Sequence, residues 1–296
     1  MCQASLAFSG MILGVKAATA TLPALEVVFF RSLLGSLMIG ILMIRKRISF
    51  LGKPEERKLL SLRGISGFLA LTLHFYTIAV LPLGTAVMLN YTATIFVAIS
   101  AILFLGERPG LFLISMILVS FAGVYLLVQP EFHLGGPEEA RRLSNLLSDA
   151  VSVFLGILSA IFAAVAVLSI RAIRHRESPL TVIFYFTAIS TIGSLFYLPF
   201  GFVWPGWKEW LALLLVAVGS FYGQLWMTIA YRRAPASLVS PFSYLTPLLS
   251  FVYGLVFWRE ALTPANLTGA FLILCGGTLI SVVEGRRAAP PVAPSS

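Results

Sequence analysis

The chain has 296 residues, 58% of them hydrophobic and only 11% charged, and a formal net charge of +9. Soluble domains carry about a quarter of their residues as charged types, so a water-soluble fold is excluded. The positive charge does not indicate nucleic acid either, because that needs basic and aromatic residues interleaved on a soluble surface, whereas the basic residues here lie between long apolar runs.

Ten such runs follow one another, each near the ~20 residues that a helix needs to cross a bilayer, and they predict spans at 2–19, 24–44, 64–81, 83–105, 111–128, 150–173, 180–202, 210–231, 236–258 and 266–283. The runs are continuous, where barrel strands would alternate in segments of about ten residues, so the expected fold is an all-α integral membrane bundle of ten transmembrane helices. The first run has no basic segment before it and is read as a retained helix rather than a secretory signal. Cys2 and Cys275 stand in apolar surroundings at opposite ends of the chain and read as small apolar side chains rather than as a disulfide or metal pair.

Ionisable residues within spans are costly and are functional candidates by default. Lys16 closes the first span and Glu26 opens the second, where snorkelling to the interface is one reading and a charge cluster the other. Arg31 lies deeper, roughly 10 Å into its helix at ~1.5 Å per residue. It either faces a cavity or forms a structural contact with Glu26 or a helix end. In the third span His74 falls near mid-depth; with an ordinary pKa near ~6.5 it is the group from which any proton coupling would start, and hydrogen-bonded packing is the competing reading. The fourth span carries Asn90, Tyr91 and Thr94, and the ninth carries Ser240, Ser243, Tyr244 and Thr246. Both stripes suit either substrate contact or interhelical hydrogen bonds, and Tyr76, Gln224, Trp226 and Tyr231 could complete an aromatic and amide lining. Gly10/Gly14 and Gly219/Gly223 have the spacing of close helix packing. Glu107 and Glu260 each close a helix ahead of a proline, which is helix-start chemistry. The expected substrate-binding set is therefore Arg31, His74, Tyr76, Asn90, Tyr91, Thr94, Gln224, Trp226, Ser240, Ser243, Tyr244 and Thr246, with no catalytic or metal-ligating residue.

Fifteen of the 21 lysines and arginines fall on one set of connectors, Arg45, Lys46, Arg47, Lys53, Arg57, Lys58 and Arg63 above all, which by the positive-inside rule predicts both termini in the cytoplasm. Trp204, Trp207 and Trp210 flank an outer connector, where interfacial rings are expected. The proline-rich end, 286–296, reads as a disordered cytoplasmic tail.

The second half repeats the first. HFYTIA at 74–79 answers LWMTIA at 225–230, and LEVVFFR at 25–31 answers LTVIFYF at 180–186. Five helices is an odd number, so the halves, 1–132 and 150–285 with an outer connector at 133–149, are expected to be inverted relative to one another. That arrangement belongs to secondary transporters with a site at the repeat interface.

Gly10, Gly14 and Lys16, the run LEVVFFRSLLG after Pro23, LRG at 62–64, LPLGTA at 81–86, LGER at 105–108, APASLVSP at 234–241 and YLTPLLS at 244–250 together resemble the drug/metabolite transporter superfamily, EamA type, over nearly the whole chain. The resemblance implies a ten-helix metabolite carrier whose cavity is lined by helices one to four and six to nine. It also implies a proline midway down both the fourth and ninth helices. Here Pro247 has Ile95 opposite it, so a broken helix is expected in the second half.

The function expected is secondary transport of a small organic metabolite, an amino acid or organic anion, by alternating access. Lys16, Arg31 and His74 outweigh Glu26 among the embedded charges, which favours a carboxylate-bearing substrate. The alternatives are an integral-membrane enzyme such as a lipid-modifying transferase, which would need paired carboxylates or close-spaced metal ligands, and a channel. No GxxxxGK[ST] sequence is present, so direct use of ATP is not expected, nor is any cofactor. The expected partners are a small-molecule substrate, the lipid bilayer and, as one option, a second copy in a homodimer; nucleic acid is not among them.

Overall fold

Inside a bilayer no water satisfies backbone polar groups, so each apolar run closes its own hydrogen bonds as a helix. The structure, a computed structural model, describes residues 1–93, 95–97, 99, 111–128, 139–173, 176–196, 199, 201–233, 242–243, 245–260 and 263–287. Among these residues there is no strand. The helices are α1 (Cys2–Ala18), α2 (Ala24–Lys46), α3 (Arg57–Val80), α4 (Leu83–Tyr91), α5 (Leu111–Val128), α6 (Glu139–Ile173), α7 (Pro179–Leu195), α8 (Trp207–Arg233), α9 (Leu245–Trp258) and α10 (Pro264–Arg287). Four helical segments are long and apolar enough to cross a membrane by length and composition, Ala24–Lys46, Pro54–Val80, Ala150–Ile170 and Trp207–Met227; the other apolar stretches among the described residues, such as Pro179–Leu195 and Pro264–Leu279, are shorter.

Several ends differ from the sequence reading for identifiable reasons. Helix α3 begins seven residues before the expected 64, because RKLLSLR is rich in strong helix formers and follows a 3₁₀ turn at Pro54–Glu56 with proline at its first position. Helix α6 starts at Glu139, well inside the stretch read as a connector; EARRLSNLL has high helix propensity, and an acid at the N-terminal end complements the helix dipole. Helix α7 ends at Leu195 rather than 202, as expected ahead of Pro199.

A break occurs in the first half, where no proline was found to cause one; residues 234–241 and 244 of the ninth span lie outside the described residues. Helix α4 is interrupted at Thr92, whose hydroxyl and backbone N–H both donate to Leu89 O, at 2.6 and 3.2 Å. A threonine hydroxyl that competes for a carbonyl does here what proline does elsewhere. Helix α9 begins at Leu245, so Pro247 falls in its first turn, where the missing N–H has no helical partner to lose.

Lipid tails supply no hydrophobic drive between helices, so close approach through small residues must hold them together. Helices α1 and α8 pack this way. A Cβ at Gly14 would lie 2.9 Å from Ala212 O, and one at Gly219 would lie 2.7 Å from Ala7 O and 3.0 Å from Met11 N. Helix α3 packs on α6 and α7, α2 on α7 and α8, α4 on α6 and α9, α1 on α9, and α5 on α10. A core of Val15, Val27, Val28, Phe75, Ile78, Leu89 and Val216 ties α1, α2, α3, α4 and α8 together. Large apolar side chains on the outer faces stay exposed, among them Leu118, Phe154, Val256 and Phe271, as lipid contact requires.

Candidate functional site

Arg31 of α2 and Arg63 of α3 are 4% and 8% exposed. Both guanidinium groups stack on one ring, Phe186 of α7, with their central carbons 5.1 and 4.5 Å from its centroid. Arg31 donates through Nε to Ser220 Oγ of α8 at 2.7 Å, and that hydroxyl in turn donates to Met11 Sδ of α1 at 2.9 Å. Among the described residues Nη1 of Arg31, and Nε and Nη1 of Arg63, are buried with no hydrogen-bond partner. Glycine makes room for the second arginine: Nη1 of Arg63 lies where a Cβ of Gly67 would sit.

A cavity of about 20 Å³ opens at this point, lined by Arg31, Gly35, Ile39, Phe186, Ser220 and Gln224 among others. It holds about one water, so the site is closed. A larger hollow of about 400 Å³ lies between the start of α2, α3 and α6, bordered by Pro23, Leu25, Thr72, Leu73, Tyr76 and Leu155. Among the described residues no charged side chain borders it, whereas Arg31 borders the smaller cavity.

A second polar centre joins the two halves. Lys16 Nζ lies 3.5 Å from Glu260 Oε1, with side chains 12% and 15% exposed, and donates to Leu81 O at 2.7 Å. Glu260 Oε2 accepts from Leu83 N at 2.8 Å. Glu260 thus caps α4 rather than the helix that follows it, which Thr263 caps by accepting from Asn266 N at 3.1 Å. Arg259 in the left-handed region turns the chain, and the Glu260 carboxylate folds over Gly254. Lys16 and Glu26 do not form a cluster: Glu26, fully buried, accepts from Val203 N at 3.1 Å.

The remaining expected residues are dispersed. Asn90 donates to Ser159 Oγ at 3.1 Å and Ser159 to Ala70 O at 2.8 Å, a chain across α4, α6 and α3. Tyr91 donates to Ser243 O at 2.9 Å, and Thr246 to Ser5 O at 3.3 Å. His74 is buried beside Phe75 with Nδ1 unpartnered among the described residues. Tyr76 borders the larger hollow, and Trp226 stacks near Tyr222 with centroids 5.1 Å apart. Thr94, Ser240 and Tyr244 lie outside the described residues, as do Glu107 and the side chain of Tyr231. Of the expected set, Arg31 and Gln224 share the small cavity.

Arg63, Phe186 and Ser220 escaped the sequence reading. Arg63 ends a basic run and reads as an orientation signal. Its one distinguishing mark is a glycine four positions on, as Gly35 follows Arg31, which leaves space on the same helical face.

The model of the EamA-like transporter family matches residues 1–129 and again 150–282. The chain belongs to this family. The pseudopaline exporter CntI of Pseudomonas aeruginosa is 34% identical over 272 residues, which cover 92% of this chain and 90% of that protein. Solute carrier family 35 member G1 of Mus musculus is 26% identical over 273 residues, covering 89% of this chain and 73% of the other. A solved structure superposes with a TM-score of 0.62 at 19% identity, over 96% of this chain and 98% of that one, which bears on the fold alone. This EamA-like protein is a small-molecule transporter rather than an enzyme, and a multi-pass protein of the cell membrane.

Proposed function

We propose that this EamA-like protein carries a small metabolite bearing a carboxylate, an amino acid or organic anion, by rocking one inverted five-helix half against the other. The observation that carries the reading is Arg31: a buried guanidinium, with Nη1 unpartnered among the described residues, bordering a cavity between α2 of one half and α7 and α8 of the other. An unpaired buried cation is costly. A ligand carboxylate can relieve that cost through paired N–H donors.

The inverted repeat is supported by three observations. The family matches the chain twice. The helix contacts pair off under exchange of each helix with the fifth after it: α3 on α6 answers α8 on α1, and α3 on α7 answers α8 on α2. Equivalent positions meet each other, Arg31 against Phe186 and Ser36 Oγ 3.5 Å from Thr191 Oγ1, a separation of 155 residues. Such self-pairing occurs beside a two-fold axis.

The cytoplasmic placement of both termini rests on the connector between α2 and α3, where Arg45, Lys46, Arg47, Lys53, Arg57 and Lys58 are all exposed. In a background lacking Cys2 and Cys275, an impermeant thiol reagent should label Lys208→Cys and not Lys53→Cys in intact cells. Labelling at position 53 alone reverses the orientation.

The substrate reading is tested in proteoliposomes by saturable counterflow of labelled organic acids and amino acids. Arg31→Lys should lower apparent affinity about tenfold or more, because an ammonium lacks the planar paired donors, while the protein remains monodisperse. Equal transport of a purely cationic substrate by wild type and Arg31→Ala refutes it.

A further inference from the structure

We propose that Arg31 and Arg63 are the two halves of one dianion site, so that the metabolite carried is a dicarboxylate rather than a zwitterion or a monocarboxylate. This rests on the carboxylate reading above and adds a second charge to it. Arg63 belongs to a run of connector cations, yet the six others, Arg45, Lys46, Arg47, Lys53, Arg57 and Lys58, are exposed and Arg63 is buried. Orientation in the membrane is satisfied by exposed charges and does not require this burial. Among the described residues no carboxylate pairs with either arginine, and three of their buried nitrogens lack any hydrogen bond.

Sharing Phe186 limits the separation of the two guanidinium groups, since their central carbons are no farther apart than the sum of their distances to its centroid. A ring face offsets part of a cation's desolvation. It cannot neutralise two like charges. Two unpaired cations in one low-dielectric site repel one another, and a ligand with one negative group leaves the second uncompensated. A molecule with two carboxylates satisfies both: Arg31 lines the cavity with Ser220 and Gln224, and Arg63 lies against Phe186, a ring of that same wall.

The arrangement also ties access to movement. Both arginines belong to the first half, while Phe186 and Ser220 belong to the second. Parting the halves withdraws the ring and the hydroxyl together and leaves two guanidinium groups facing the opened gap. Closure without ligand returns the aromatic face to them, so the empty carrier too has a way to complete its cycle.

The test uses the purified full-length protein with straight-chain diacids from malonate to adipate and their monocarboxylate counterparts of equal length, read as thermal stabilisation and as competition in counterflow. The best diacid should bind about tenfold or more tightly than its monoacid. Arg63→Gln should abolish that advantage, bringing the affinity for the best diacid down to that for its monoacid. A wild-type protein that binds monoacids as well as diacids overturns the dianion site and leaves the carboxylate reading standing; binding of neither class overturns both. A folded Arg63→Gln protein that keeps the full diacid advantage assigns Arg63 to packing and overturns the proposal. The wild-type comparison decides the matter even where the variant does not fold.

Discussion

Glu260→Ala will lower the stability of the purified protein by about 3 kcal/mol or more, the usual cost of removing one member of a buried ion pair. Two losses coincide at this residue. Lys16 keeps only the Leu81 carbonyl for a largely buried ammonium, and the Leu83 N–H at the start of α4 loses its acceptor. Both lost contacts cross between the halves, from the loop after α9 to α1 and α4. Chemical denaturation in detergent measures the effect. Glu260→Gln should cost less, since its amide oxygen still accepts from Leu83. Combining Lys16→Met with Glu260→Gln should cost less than Glu260→Ala alone, because no charge is then left without a partner. An unaltered denaturation midpoint for Glu260→Ala would show that the pair is solvated and of little weight.

Gly219→Leu will prevent α1 and α8 from closing and will abolish recovery of monodisperse protein. The obstacle is backbone, not side chain: the space a Cβ needs is filled by Ala7 O at 2.7 Å and Met11 N at 3.0 Å. No rotamer change relieves that contact, so the helices must separate, at a cost above the ~1–3 kcal/mol of ordinary overpacking. Gly10→Ala is the matched control. Its Cβ meets nothing nearer than Leu215 Cδ1 at 3.8 Å, and alanine has the better helix propensity. Size-exclusion profiles of the two variants should diverge sharply; a normal profile for Gly219→Leu would mean that the α1 and α8 backbones are not in close contact.

Residue order alone determined the membrane environment, the helical class and the family. Apolar runs of bilayer length with few charges leave one backbone solution, and the motifs that carry the family resemblance are contiguous in the chain. Of the glycine pairs in α1 and α8, which four-residue spacing places on one helical face, Gly14, Gly219 and Gly223 make the close approach and Gly10 does not. Partner choice was decided by tertiary structure. Glu260 and Lys16 are 244 positions apart, and no local pattern tells an acid that caps the next helix from one that reaches across the bundle to α4. Asn90 and Thr246 read equally well as cavity lining or as interhelical ties, because an amide or hydroxyl suits both and only the neighbouring helix decides; the structure sets them against Ser159 and Ser5. Arg63 is the sharpest case. In sequence it is one more cation in a basic connector, and its burial against Phe186, beside Arg31, exists only because α2, α3 and α7 meet there.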